Sequence, residues 1–145
     1  MIRIVVALAF LLVAPMMAVA GMFDDIREGD KYAQNGRLEE AIDRYTWAIM
    51  DAGSLEKGNL TPQVLSTLHR RRGWVYAQKG VYRMALEDLN EALRLNPRDS
   101  LALGYRSRVL EKMGLHDQAW SDIREKRRIL GRLEGDRSSR QVLTP

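Results

Sequence analysis

Glycine and alanine recur along this chain at intervals that helix packing would set. Gly80, Ala85 and Ala92 repeat as Gly36, Ala41 and Ala48 at a shift of 44 residues, and the first two again as Gly114 and Ala119 at a shift of 34. Gly29-x-x-Tyr32 matches Gly73-x-x-Tyr76, with Ser107-x-x-Leu110 as a degraded third copy. Apolar residues between these points follow a helical period almost throughout, and no run shows the alternation of a strand. Self-similarity at such periods marks stacked arrays. The expectation is an all-α chain built from helix pairs.

Two antiparallel helices approach closely only where side chains are small. Gly29 and Gly73 on the first helix of a pair are therefore predicted to face Ala41 and Ala85 on the second, and overfilling such a site costs about 1–3 kcal/mol. Gly36, Gly80 and Gly114 fall where a first helix ends in a left-handed cap, which glycine enters without a Cβ penalty. Pro97 ends a second helix by forbidding its neighbour's continuation.

These residues resemble the tetratricopeptide repeat family. Gly73, Tyr76, Ala85, Ala92 and Pro97 fill the family's small, aromatic, small, small and proline places. A first copy has Gly29, Tyr32, Ala41 and Ala48, with Gly53 at the proline place. A third keeps Ser107 and Ala119 but has Leu110, Lys126 and Gly131 elsewhere. The copies run over about 22–55, 66–99 and 100–133, and the resemblance implies a right-handed helical-repeat solenoid of three helix-turn-helix units within residues 21–135, followed by a flexible tail, 136–145. An insertion of about ten residues lies within "DAGSLEKGNLTP" (51–62), with Thr61 as an N-cap before Pro62 at the first helical position. It is either a partner contact or a tolerated loop.

The first twenty residues are a different material. "MIRIVVALAFLLVAPMMAVAG" carries one early charge, Arg3, then an apolar run, the breaker Pro15, and small residues Ala18 and Ala20 around Val19. This reads as a secretory signal cut after Ala20; the alternative is an uncleaved anchor, because Ile4 to Phe23 is uncharged and about 20 residues can span a bilayer. The chain has no cysteine, which excludes disulfides and thiolate metal sites. Export without cysteine fits a periplasmic or secreted protein of a bacterial envelope, or an inner-membrane protein if the leader stays. Beyond the leader, 22 basic and 19 acidic residues remain, and the excess is concentrated between Arg124 and Arg140.

No catalytic constellation stands out. There is no Gly-rich phosphate loop and no H-E-x-x-H or nucleophile-elbow pattern, and no metal or cofactor is implied. Glu39 with Glu40 and Glu87 with Asp88 sit beside arginines on predicted helix faces, where solvated i,i+4 pairing is their expected role. His69 and His116 are far apart and read as surface or half-buried side chains.

Binding is better motivated. A helical repeat stacks into a curved solenoid with an extended concave groove. The resemblance assigns that groove Phe23, Ile26, Asp30, Ala33 and Gln34 from the first copy. Thr67, Arg70, Trp74, Ala77 and Gln78 come from the second, and Leu101, Gly104, Arg108, Glu111 and Lys112 from the third. Candidate groove residues are therefore Asp30, Gln34, Arg70, Trp74, Gln78, Arg108 and Lys112. A tryptophan between arginines is a hot-spot composition, or alternatively a capped core residue. The family's carboxylate-clamp pattern is not met, because Phe23, Ile26, Arg27, Asp30, Thr67, Arg70, Arg71 and Trp74 stand at its places. The expected partner is a protein or peptide, with an acidic one suiting the arginines. In the last helix Ile123, Leu130 and Leu133 are expected to face inward, leaving Arg124, Lys126, Arg128 and Arg132 as a basic surface. Export argues against nucleic acid as its partner. An anionic membrane suits it, as does a solvated helix end whose cations match the macrodipole. The third copy lacks a separate capping helix, so a partner or a second copy of the chain would cover its edge.

Overall fold

The computed structural model describes residues 20–54 and 62–141. The leader before residue 20 and the Thr61 cap lie outside them. All regular structure among the described residues is helical. The helices are α1, which includes residues 20–34, α2 (Leu38–Ser54), α3 (Pro62–Gln78), α4 (Tyr82–Leu95), α5 (Ser100–Lys112) and α6 (His116–Gln141). The last of these continues through the first part of the segment read from sequence as a tail. The order gives three stacked pairs, α1 with α2, α3 with α4, and α5 with α6.

The pairs are turned by the same device. Gly36, Gly80 and Gly114 have φ of 73°, 81° and 77°. In each turn the glycine N–H donates three residues back, to Ala33, Ala77 or Glu111, and the next N–H five back, to Tyr32, Tyr76 or Leu110. This is the Schellman closure, which satisfies carbonyls that the helix end would leave orphaned. Between pairs, Asp99 caps α5 by accepting from the N–H groups of Leu101 and Ala102. Pro97 follows immediately after α4 and its cap residue Asn96.

Small residues set the approach of the helices, but not with the same partner each time. A Cβ at Gly73 would lie 3.1 Å from the Ala85 carbonyl oxygen and 3.0 Å from Cβ of Asp88. At Gly29 the nearest atoms are those of the Tyr45 ring, the closest 2.8 Å from such a Cβ. Tyr45 is itself fully buried and occupies the space its own glycine leaves. In the third pair Lys126 stands where Ala48 and Ala92 stand in the others. It is half-buried, with Nζ 3.0 Å from where a Gly104 Cβ would be. Lys126 therefore does not belong to the outer basic surface.

Two apolar clusters result. One joins Met22, Ala41, Ile42, Tyr45, Leu68 and Val75; the other joins Ala85, Leu89, Leu93, Leu103, Val109 and Ile129; Tyr76 packs against both. In α6 it is Ile129 that turns inward, at 4% exposed, while Leu130 is 39% exposed. Ile123 is half-buried, and the side chain of Leu133 lies outside those described; Ile129 takes the inward place expected of Leu130, on the stripe of the buried Ala119 and Asp122.

Ion pairs cross the layers. Glu87 faces solvent near Arg83 as expected, whereas Asp88 is 5% exposed. Its carboxylate accepts two bonds of 2.8 Å from Arg72 and one of 2.9 Å from Nδ1 of His69. The same arrangement recurs as Arg106 on the buried Asp122, at 2.7 and 2.8 Å. Every buried side-chain polar atom among the described residues has a partner, as interiors require.

Candidate functional site

The face shared by α1, α3 and α5 carries two adjoining clefts. The first, about 300 Å³, is bordered by Asp30, Gln34, Arg70, Arg71, Trp74 and Gln78, with Tyr45 and Tyr105 in its walls. The second, about 210 Å³, runs on from Trp74 and Gln78 to Tyr82, Val109, Arg108 and Lys112. All seven candidate groove residues therefore line one continuous surface. Helical periodicity explains this: within α3, residues 70, 74 and 78 are successive i,i+4 neighbours on one stripe.

Their electrical roles differ from one another. Arg70 is not a free cation, because its Nε donates to Asp99 at 2.9 Å and its side chain is only 15% exposed. Asp30 accepts from the Tyr45 hydroxyl at 2.6 Å and pairs with Arg71. Burial, reinforced by the bond to Asp30, pushes the Tyr45 phenol well above its ordinary range. Trp74 is half-buried and stacks on Tyr105, with ring centroids 4.4 Å apart and planes inclined by 16°. The Arg108 guanidinium lies over the indole, 5.7 Å from the ring centroid. Arg108 and Lys112 make no ion pair among the described residues. Gln34 and Gln78 are exposed.

Sequence reasoning missed Tyr105 and Arg71, which sit one residue beyond the groove positions Gly104 and Arg70. It also missed Tyr82, contributed by the start of α4. On the other candidate surface Arg124 and Arg132 are exposed, and Arg128 is exposed but bonded to Glu125 at 2.5 and 2.7 Å. Among the described residues no group of His, Asp and Glu could hold a metal ion, and no helix is long and apolar enough to cross a membrane.

Paired helices turned by glycine and stacked in register give the chain the fold of a helical-repeat solenoid built from TPR-like helix-turn-helix units. Residues 66–99, which hold most of the α3–α4 pair, match the family described as tetratricopeptide repeat. Among curated proteins, unc-45 homolog B of Danio rerio is 32% identical over 96 residues, which is 66% of this chain and 10% of that protein. The mitochondrial import receptor subunit TOM70 of Rattus norvegicus is 28% identical over 96 residues, 66% of this chain and 15% of that protein. The chain thus spans about a tenth of the length of the first curated relatives it matches. Among solved structures, the TPR domain of Arabidopsis FLU superposes with a TM-score of 0.69 at 19% identity, covering 81% of this chain and 98% of that one. The second TPR of Spaghetti, bound to the HSP90 peptide SRMEEVD, gives 0.68 at 21% identity, covering 80% and 97%. These likenesses show the fold.

Proposed function

We propose that this chain is a non-enzymatic protein-interaction module, exported to the bacterial envelope, that binds a peptide or protein partner along the α1–α3–α5 groove. The observation that carries the reading is the Trp74–Tyr105 stack in that groove, flanked by Arg108 and Lys112, which make no ion pair among the described residues. A large aromatic anchor beside cations is the composition that concentrates binding energy. Solved domains of the same fold are described as bound to the HSP90 peptide SRMEEVD and in complex with the HSP70 peptide SGPTIEEVD, which supports a peptide-binding role for a chain of this fold. Export rests on the leader. Intact mass of the native protein, lacking residues 1–20, would agree with a leader cut after Ala20. An intact leader would instead favour the anchored alternative.

The test of the groove is photo-crosslinking in the native envelope. A photo-reactive residue at Gln78 should capture a partner, the same residue at the exposed Trp47 should not, and Trp74→Ala should abolish capture from Gln78. Equal capture from both positions, or capture indifferent to Trp74→Ala with helicity intact, would overturn the reading. Arg70→Glu would strip Asp99 of its partner and disturb the start of α5, so loss of capture in that variant would not report on the groove.

A further inference from the structure

The two clefts that meet at Trp74 are chemically unlike, and the difference points to what the groove selects. In the first cleft the charges are already matched within the chain. Arg71 pairs with Asp30, which also holds the Tyr45 hydroxyl, and Arg70 pairs with Asp99, whose other oxygen caps α5. A ligand carboxylate entering there would have to displace a carboxylate that is fixed in place. It would gain one interaction by breaking another.

The second cleft is the reverse. Its wall is apolar, formed by Trp74, Ala77, Tyr82 and Val109, and its rim carries Arg108 and Lys112 with no ion pair among the described residues. Stacking on the indole holds the Arg108 guanidinium in a defined place, which lowers the entropy lost when it takes a partner. Glu111 lies on the same rim, so the local excess is one positive charge, suited to a single carboxylate and poorly to a phosphate-rich surface. At about 210 Å³ the cleft is smaller than the roughly 300 Å³ at which small-molecule sites begin. It has room for one side chain.

We propose that the Trp74–Lys112 half of the groove is the specificity pocket. It takes an aliphatic or aromatic side chain of a peptide that carries a carboxylate on a neighbouring residue. The apolar side chain packs between Trp74, Tyr82 and Val109, and the carboxylate meets Arg108 and Lys112. Gln78, which borders both clefts, is placed to bond the peptide backbone between them. This assignment rests on the groove being the binding face.

Fluorescence polarisation tests it with three labelled hexapeptide amides, Gly-Ser-Leu-Glu-Leu-Glu, its Gln-for-Glu counterpart and its Ala-for-Leu counterpart. The first should bind at least about tenfold more tightly than either of the others. Arg108→Glu combined with Lys112→Glu should remove that preference. Both residues are exposed, so helicity should be unchanged. Asp30→Asn should leave the preference in place. Equal binding of the Gln and Glu peptides, indifference to the double variant, or no saturable binding of any peptide would overturn the assignment. Capture from Gln78 decides separately whether the groove reading survives such a failure.

Discussion

Asp88→Ala should be among the most damaging single substitutions in this chain, for reasons that lie between α3 and α4. The Asp88 carboxylate is buried and accepts bonds from Arg72 and His69, while Arg72 is only 18% exposed and cannot turn out to water without leaving its Thr46 contact. Breaking a buried pair by removing one partner costs about 3–5 kcal/mol, because the other charge stays behind uncompensated. Thr46 remains as one acceptor, so the lower part of that range applies, about 3 kcal/mol. For a domain of this size each kcal/mol moves the midpoint by roughly 3–5 °C, which gives a fall of about 10–15 °C by circular dichroism.

The same site fixes a pH dependence. Burial by itself would raise the Asp88 pKa, but the bonds from Arg72 and His69 outweigh it and hold the group below the ordinary carboxylate range. A depressed folded pKa means that the unfolded chain binds the proton more readily. The stabilisation is therefore present above the unfolded value, about 4, and is lost as pH falls through the folded one. Asp88→Asn should be less stable than the parent at pH 7, and the two should converge on acidification below about pH 4. A melting point of Asp88→Ala within 2 °C of the parent, or a difference between Asp88→Asn and the parent that does not change with pH, would refute the argument.

Three further outcomes follow from the packing. Gly73→Ala should cost about 1–3 kcal/mol, since the new Cβ meets backbone that cannot move independently, whereas Gly80→Ala meets no atom and should cost only about 1–2 kcal/mol of left-handed strain; urea midpoints compare them. Tyr45→Phe should lose about 1 kcal/mol at pH 7 by removing the bond to Asp30. Because the folded phenol has a raised pKa, its stabilisation is present below about pH 10 and lost above it, so Tyr45→Phe should show a shallower alkaline decline in urea unfolding. Arg71→Met should weaken attachment of α1, read as faster amide exchange in residues 20–34 than in α4.

The fold was legible because its punctuation is glycine. Three residues with positive φ mark three turns whatever surrounds them, and alanines mark the close crossings. The partners across those crossings were less legible. Nothing in the repeat pattern says that Tyr45 will lie over Gly29, since the ring reaches there only after α1 and α2 have docked. Asp88 was misread because Glu87 beside it is a solvated acid, and a shift of one residue on a helix turns a side chain by about 100°. The recurring separation of 16 residues in Arg72–Asp88 and Arg106–Asp122 was the available signal. Its first copy hides it by exchanging acid and base, as Glu28 and Arg44, 3.0 Å apart. Groove chemistry was the hardest to read, because a sequence shows which cations share a stripe and not which are already neutralised.

The run Arg70-Arg71-Arg72 makes that last point physical. Consecutive helical residues point about 100° apart, so three adjacent guanidinium groups reach three different neighbours. Arg70 reaches forward to Asp99 at the start of α5, Arg71 back to Asp30 on α1, and Arg72 across to Asp88 on α4 while touching Thr46 on α2. One helix thereby holds the other layers by ion pairs as well as by apolar contact. A solenoid has only nearest-neighbour interfaces, and its cooperativity depends on their strength. These arginines supply directional links at those interfaces, with geometry that aliphatic packing alone would leave adjustable. The cations that look most available to a ligand in the sequence are thus committed to ion pairs between neighbouring helices. Recognition, on the proposal above, is left to side chains outside these pairs, with Arg108 and Lys112 the groove cations that make no ion pair among the described residues.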